Sequence, residues 1–194
     1  MKGEKTLEIE KFLIELYGRI KNLEERVAKL ESENNYENKS ENKITRKVTR
    51  QYVIEKLQEE NLGLYARKGS KDLNADILID LDKKSLKVKY LHSKSYNNDF
   101  PAGWYTLSED DINNEIYDLF IFCIDFKGDF KTFLFTKNEI NEIVNCKSID
   151  AKKNYHFYIH MKENGRILEC RDDDIDIKYS YERWNLPVKL VSNN

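Results

Sequence analysis

The sequence predicts an α/β domain with a central mixed sheet flanked by helices, preceded by an N-terminal coiled-coil helix. Three observations carry this. Helix-like and strand-like segments alternate from residue 45 onward. "YDLFIFCIDF", residues 117–126, is almost wholly apolar, as in a strand buried on both faces. Residues 5–34 repeat apolar side chains at spacings of three and four without a break.

In that N-terminal stretch Leu13, Ile20 and Val27 fall at heptad position a, and Ile9, Leu16, Leu23 and Leu30 at d. β-Branched residues at a with mostly leucine at d favour a parallel dimer. The flanking charges agree: Lys5 would meet Glu10 of the second helix, Arg19 would meet Glu24, and Arg26 would meet Glu31. The helix would be about 45 Å long. The other reading is an amphipathic helix packed on its own domain. "ESENNYENKSENK", residues 31–43, holds one aromatic and no aliphatic residue and reads as a linker or frayed helix end. The expected organisation is a dimerisation helix over 1–34, a polar linker over 35–44 and the α/β domain over 45–194.

Within the domain, "TRKVTRQYVIEKLQEENLG" predicts a helix capped by Thr45 or Thr49, with Val48, Tyr52, Val53 and Leu57 as its apolar stripe and Gly63 at its end. "LYARKG", "NADILIDL" and "SLKVKYL" predict three strands, the last two joined by a turn at "DKKS". "LSEDDINNEI" carries a capping Ser108 and an acidic first turn, as a helix start does. After the apolar strand, Gly128 turns the chain into "FKTFLF". Thr136 and Glu139 then form a capping box for a further helix. "YHFYIHM" predicts another strand. The aromatic tail "IDIKYSYERWNLPVKL" is expected to pack back on the sheet.

The chain of 194 residues has no apolar run long enough to cross a membrane and no apolar leader, so a cytoplasmic protein is expected. Three scattered cysteines, Cys123, Cys146 and Cys170, fit a reducing compartment better than a disulfide framework or a zinc site. Abundant Asn, Lys, Ile and Tyr with little Pro or Gly suggests an AT-rich bacterial or phage source. A net charge of −2 hides an uneven distribution. Residues 43–94 hold 13 basic and 7 acidic side chains, net +6, whereas residues 95–194 hold 12 and 18, net −6. An anionic ligand would be drawn to the first of these stretches.

That basic stretch contains "NADILID" followed by "LKVKY". Helix, three strands, helix and strand, with Asp76 opening the second strand and Lys89 ending the third, resembles the restriction-endonuclease-like core of the PD-(D/E)xK nuclease superfamily. The resemblance covers residues 45 to about 160. It implies a metal-dependent nuclease acting on nucleic acid, DNA above all. Asp76 would hold Mg2+ with a second carboxylate, the ion would activate water, and Lys89 would position or deprotonate that water. The sequence departs from the family pattern two residues before Lys89. An acid belongs there and Lys87 stands in its place. A charged lysine only donates and cannot ligate a metal.

Three readings follow. A carboxylate has moved in, from Asp80 on the same strand face or from Glu55 or Glu59 on the preceding helix. Or catalysis is lost, and Lys87 and Lys89 bind phosphate as a static anion site. Or the hairpin is an ordinary half-exposed sheet. Under the first, Asp76, Lys89 and Glu55 are the catalytic candidates, and Asp76 and Asp80 the metal ligands. Arg46, Lys47, Arg50, Arg67, Lys68 and Lys71 would contact phosphate, joined by Lys87 and by Lys94 of the "HSKSY" segment. A coiled-coil homodimer would hold two such sites together. The rival functions are a catalytically inactive nucleic-acid-binding or regulatory module of the same fold and a coiled-coil protein-interaction module. His156 and His160 would share a strand face, where a structural role is favoured over metal binding. "RDDDID" lacks the spacing of a calcium loop and reads as a solvated turn.

Overall fold

The computed structural model describes residues 44–82 and 84–192, all within the second of the chain's two units, Ile44–Asn194. The heptad positions, with the dimer they imply, and all of the linker before Ile44 lie outside the described residues. No helix among the described residues is long and apolar enough to cross a membrane.

Helix α1 (Arg46–Glu60) leads into an antiparallel meander of β1 (Leu64–Lys68), β2 (Ile77–Leu81) and β3 (Lys84–Lys94). The chain then forms β4 (Ala102–Ser108) and the short helix α2 (Glu109–Asn113), and returns as β5 (Leu119–Phe126) parallel to β3. β6 (Asp129–Thr136) pairs antiparallel with β5, giving one mixed sheet in the order β1-β2-β3-β5-β6. Helix α3 (Lys137–Val144), β7 (Asn154–Met161), β8 (Ile167–Glu169), β9 (Ile175–Asp176), a single 3-10 turn and α4 (Leu186–Ser192) complete the chain.

The two apolar faces of β5 explain its sequence. Leu119, Ile121 and Cys123 belong to a core formed with Val53, Ile54 and Leu57 of α1 and with Trp184 and Leu186 of the tail. Phe120, Phe122 and Ile124 point the other way, into a second core with Tyr105 and Leu107 of β4, Ile140 and Ile143 of α3, and Phe157 and Ile159 of β7. A strand with a core on each side leaves a polar residue only its end, where the Asp125 Oδ1 accepts the Gly128 N–H of the turn at 3.0 Å. Of the three helix starts predicted in the domain, two hold as capping boxes, at Ser108 and Thr136, whereas at α1 Thr45 takes the N-cap position without a side-chain bond and Thr49 lies inside the helix. The Ser108 Oγ accepts from the Asp111 N–H at 3.1 Å and the Thr136 Oγ1 from the Glu139 N–H at 3.1 Å, each with the reciprocal carboxylate bond.

Two expectations are corrected. The strands do not share one sheet: β4, β7, β8 and β9 form a separate four-stranded antiparallel sheet. β4 follows Pro101 and contains Gly103, which mask its strand pattern in the sequence. Its glycine is required by close approach, since a Cβ there would lie 2.7 Å from the Ile124 Cγ1 of the first sheet. On α1 the buried stripe is Thr49, Val53, Ile54 and Leu57, and Val48 is exposed. The Thr49 hydroxyl takes its place inside because it accepts from the buried Tyr90 Oη at 2.7 Å. The open edge of β1 is covered by α1, where the Gln58 Oε1 accepts from the Ala66 N–H at 3.1 Å.

Candidate functional site

The site arises where β3 outruns β2. Pairing between them stops at Ile77 opposite Val88, while β3 continues beside β5 to Lys94. Tyr90 therefore presents an N–H and a C=O that β2 does not pair. Asp76, the residue before β2, accepts the Tyr90 N–H on Oδ2 at 3.0 Å. The Arg46 guanidinium, from the first turn of α1, donates to the Tyr90 carbonyl at 2.7 Å and to the Asp76 Oδ1 at 2.7 Å. One carboxylate and one guanidinium thus close the free edge of the strand, as buried backbone groups require. Asp76→Ala is expected to cost about 1–2 kcal/mol of stability, because it leaves the Tyr90 N–H without its charged acceptor; a urea melt measures it.

Around this point lies a cleft of about 720 Å³. Arg46 and Arg50 of α1, Lys68 at the end of β1, Lys71 of the following loop and Lys89 of β3 line it, with Asp76 as the one carboxylate and Tyr117 at the wall. The loop closes tightly under the cations. A Cβ on Gly69 would lie 2.1 Å from the Ala75 carbonyl oxygen, and the Gly69 N–H donates to the Asp76 carbonyl at 3.0 Å.

The charges in the cleft are unequally spent. Arg46 is neutralised by Asp76. The Lys89 Nζ donates to the Asp111 Oδ1 at 2.6 Å and sits 5.2 Å from the centroid of the Tyr117 ring. Among the described residues no carboxylate pairs with Arg50, Lys68 or Lys71. Helix α1 adds to the imbalance: its first turn holds no acid, and Thr45 caps it with no side-chain bond. Cations at a helix N-terminus oppose its dipole, a cost of about 0.3–1 kcal/mol each that an anion in the cleft would offset.

Of the residues singled out from sequence, Asp76, Lys89, Arg46, Arg50, Lys68 and Lys71 come together. The rest do not line the cleft. Glu55 accepts from Gln51 one turn back on α1. Asp80 is held by the Ser85 hydroxyl and by Arg67 at 3.2 Å, which also occupies Arg67. Those bonds hold its carboxyl below the usual range, the Ser85 bond first. Lys87 gives its backbone N–H to the Asp118 Oδ2 at 2.7 Å, so Asp118 extends the pairing of β5. Lys47 and Lys94 are exposed outside the lining. Sequence reasoning missed Asp111. It was visible as the third residue of a capping box, but nothing in the sequence set it beside Lys89, 22 positions away.

The donor set does not fit Mg2+. Both oxygens of Asp76 are engaged, Asp80 is spoken for, and the position of the second acid carries an ammonium. Among the described residues, no three His, Cys, Asp or Glu side chains gather to hold an ion. The arrangement is suited instead to holding an anion by charge.

His92 lies three residues beyond Lys89 on β3. Its Nε2 is shielded and has no hydrogen-bond partner among the described residues. Burial lowers its pKa, favouring the neutral ring in the folded protein. A depressed pKa contributes stability that is fully present above the ordinary value near 6.5 and is lost as the pH falls below it. His92→Gln should flatten the loss of stability between about pH 7 and pH 5, read by urea denaturation.

No family model matches the chain, and no curated protein matches it.

Proposed function

We propose that the cleft binds the phosphodiester backbone of nucleic acid, DNA in the first instance, without a metal ion. The protein is then a binding module on a restriction-endonuclease-like core that has given up hydrolysis. One observation carries this: among the described residues five cations line a single cleft, Arg50, Lys68 and Lys71 have no carboxylate partner, and the one lining carboxylate, Asp76, is bonded to Arg46. The nuclease-like reading of the core is supported by a helix and a three-strand meander followed by a helix and a parallel strand, with Asp76 and Lys89 at its centre. The coiled-coil dimer, if formed through residues 5–34, would present two clefts to one duplex and raise avidity.

The test is binding of a labelled duplex of about 20 base pairs, ample for the few phosphates one cleft contacts, followed by anisotropy in EDTA and again in Mg2+, with the same mixtures run on a denaturing gel. Binding in EDTA that Mg2+ does not strengthen, with intact strands, is the expected result. No binding at low salt would remove the proposal. Strand cleavage in Mg2+ that Asp76→Asn abolishes would restore the hydrolytic reading in its place.

A further inference from the structure

The second sheet carries an aromatic outer face that the cleft does not use. β4 and β7 pair so that Trp104 lies opposite Tyr158 and Thr106 opposite His156. Phe157 and Ile159 of β7 point into the core, so His156, Tyr158 and His160 point out. Tyr96 and Phe100, from the loop between β3 and β4, extend the row over His160 at ring distances of 5.7 and 5.5 Å. Trp104 is 55% exposed and Tyr96 54%. The rings meet at 49° to 89°, edge to face or tilted, and none is stacked flat on its neighbour.

Cross-strand aromatic pairs stabilise a sheet by themselves. That does not account for a tryptophan and a tyrosine left half in water, nor for the cation among them. The Arg171 guanidinium lies 5.2 Å from the Tyr158 ring centroid and donates to the Tyr158 Oη at 2.9 Å. Its described polar partner is a phenol and not a carboxylate. Of the nearby acids, Asp172 is turned to Lys147 and Asp150 is bound by His156, while Asp173 and Asp174 are exposed. The polar ring edges of His156, His160, Tyr96 and Tyr158 are bonded within the face, which leaves exposed π-surface beside a cation with no described carboxylate partner, the chemistry that receives an unstacked nucleobase with its backbone. A duplex keeps its base faces inside and cannot use this surface. β3 links the two regions: Lys89 lies in the cleft, exposed Lys94 ends the strand, and Tyr96 follows two residues later.

We infer that the outer face of the second sheet stacks the bases of single-stranded nucleic acid, resting on the reading of the cleft as a phosphate-binding site. The molecule carries its own reporter. Of its two tryptophans, Trp184 is buried and Trp104 exposed. Titration with an oligothymidylate should quench the tryptophan emission, and a duplex of equal length should not. Trp104→Phe should abolish the quenching while binding persists. Trp104→Ala with Tyr158→Ala should weaken oligothymidylate binding about tenfold or more while leaving duplex affinity within about twofold. Arg171→Gln, an exposed change that does not disturb the core, should weaken the single strand alone. Duplex binding without quenching by the single strand, or oligothymidylate affinity indifferent to Trp104→Ala and Arg171→Gln, would overturn the inference, leaving the face to a protein or polysaccharide, and leave the cleft untouched. Loss of both ligands in the parent protein would overturn the phosphate cleft itself.

Discussion

Lys147→Ala should destabilise the domain by about 3–5 kcal/mol, the cost of leaving one member of a buried ion pair alone. The Lys147 Nζ, just beyond α3, lies 2.7 Å from the Glu169 Oε2 of β8, and both side chains are 1% exposed. Asp172 stands 3.5 Å from the same ammonium, which also lies over the Phe157 ring. Without the lysine, a carboxylate stays in the interior with no counter-charge. The other oxygen of Glu169 has a separate duty: it accepts the backbone N–H groups of Tyr158 at 3.0 Å and Arg171 at 3.1 Å. The double variant Lys147→Met with Glu169→Gln keeps that acceptor and removes both charges, so it should recover most of the loss. Urea denaturation of the parent and the two variants measures it. A loss below about 1 kcal/mol for Lys147→Ala would mean that water reaches the pair in solution.

The second large effect is on binding. Lys68→Glu with Lys71→Glu exchanges two unpaired cations of the cleft for two anions, and should reduce affinity for duplex DNA about a hundredfold or more at low salt. Both side chains leave the β1–β2 connection on the surface, so the fold should melt as before. Lys47→Glu, on α1 but outside the lining, is the matched control and should cost far less. Equal losses from all three positions would point to diffuse attraction to the basic half of the domain, with no defined cleft.

The sequence made some of this legible for clear physical reasons. A strand facing two cores must be apolar along its length, and "LFIFCI" is; Asp125 comes only at its end, where its carboxylate accepts the Gly128 N–H of the following turn. A capping box is a local device, and Ser108 and Thr136 could be read without knowing what the helices pack against. The resemblance to the nuclease pattern brings Asp76 and Lys89 together, and the hairpin register, with Ile77 opposite Val88, places them as neighbours. What failed was non-local. The division into two sheets depends on β4 leaving the first sheet, and Gly103, which permits it, reads in sequence only as a break after Pro101. Val48 and Thr49 exchanged roles because Tyr90, from β3, reaches the hydroxyl. Asp111 meets Lys89 through the packing of α2 against the strand, and Arg46 takes the carboxylate that a metal would need. Each depends on a partner more than 20 residues distant.

The most direct test of the central claim is the salt dependence of DNA binding in EDTA, as the slope of log affinity against log salt concentration. Three to five phosphate contacts predict a slope of about −3 to −4.5 for the parent, with Lys71→Ala shallower by about one. A slope near zero, or one that Lys71→Ala leaves unchanged, would contradict a cleft that holds nucleic acid by its phosphates.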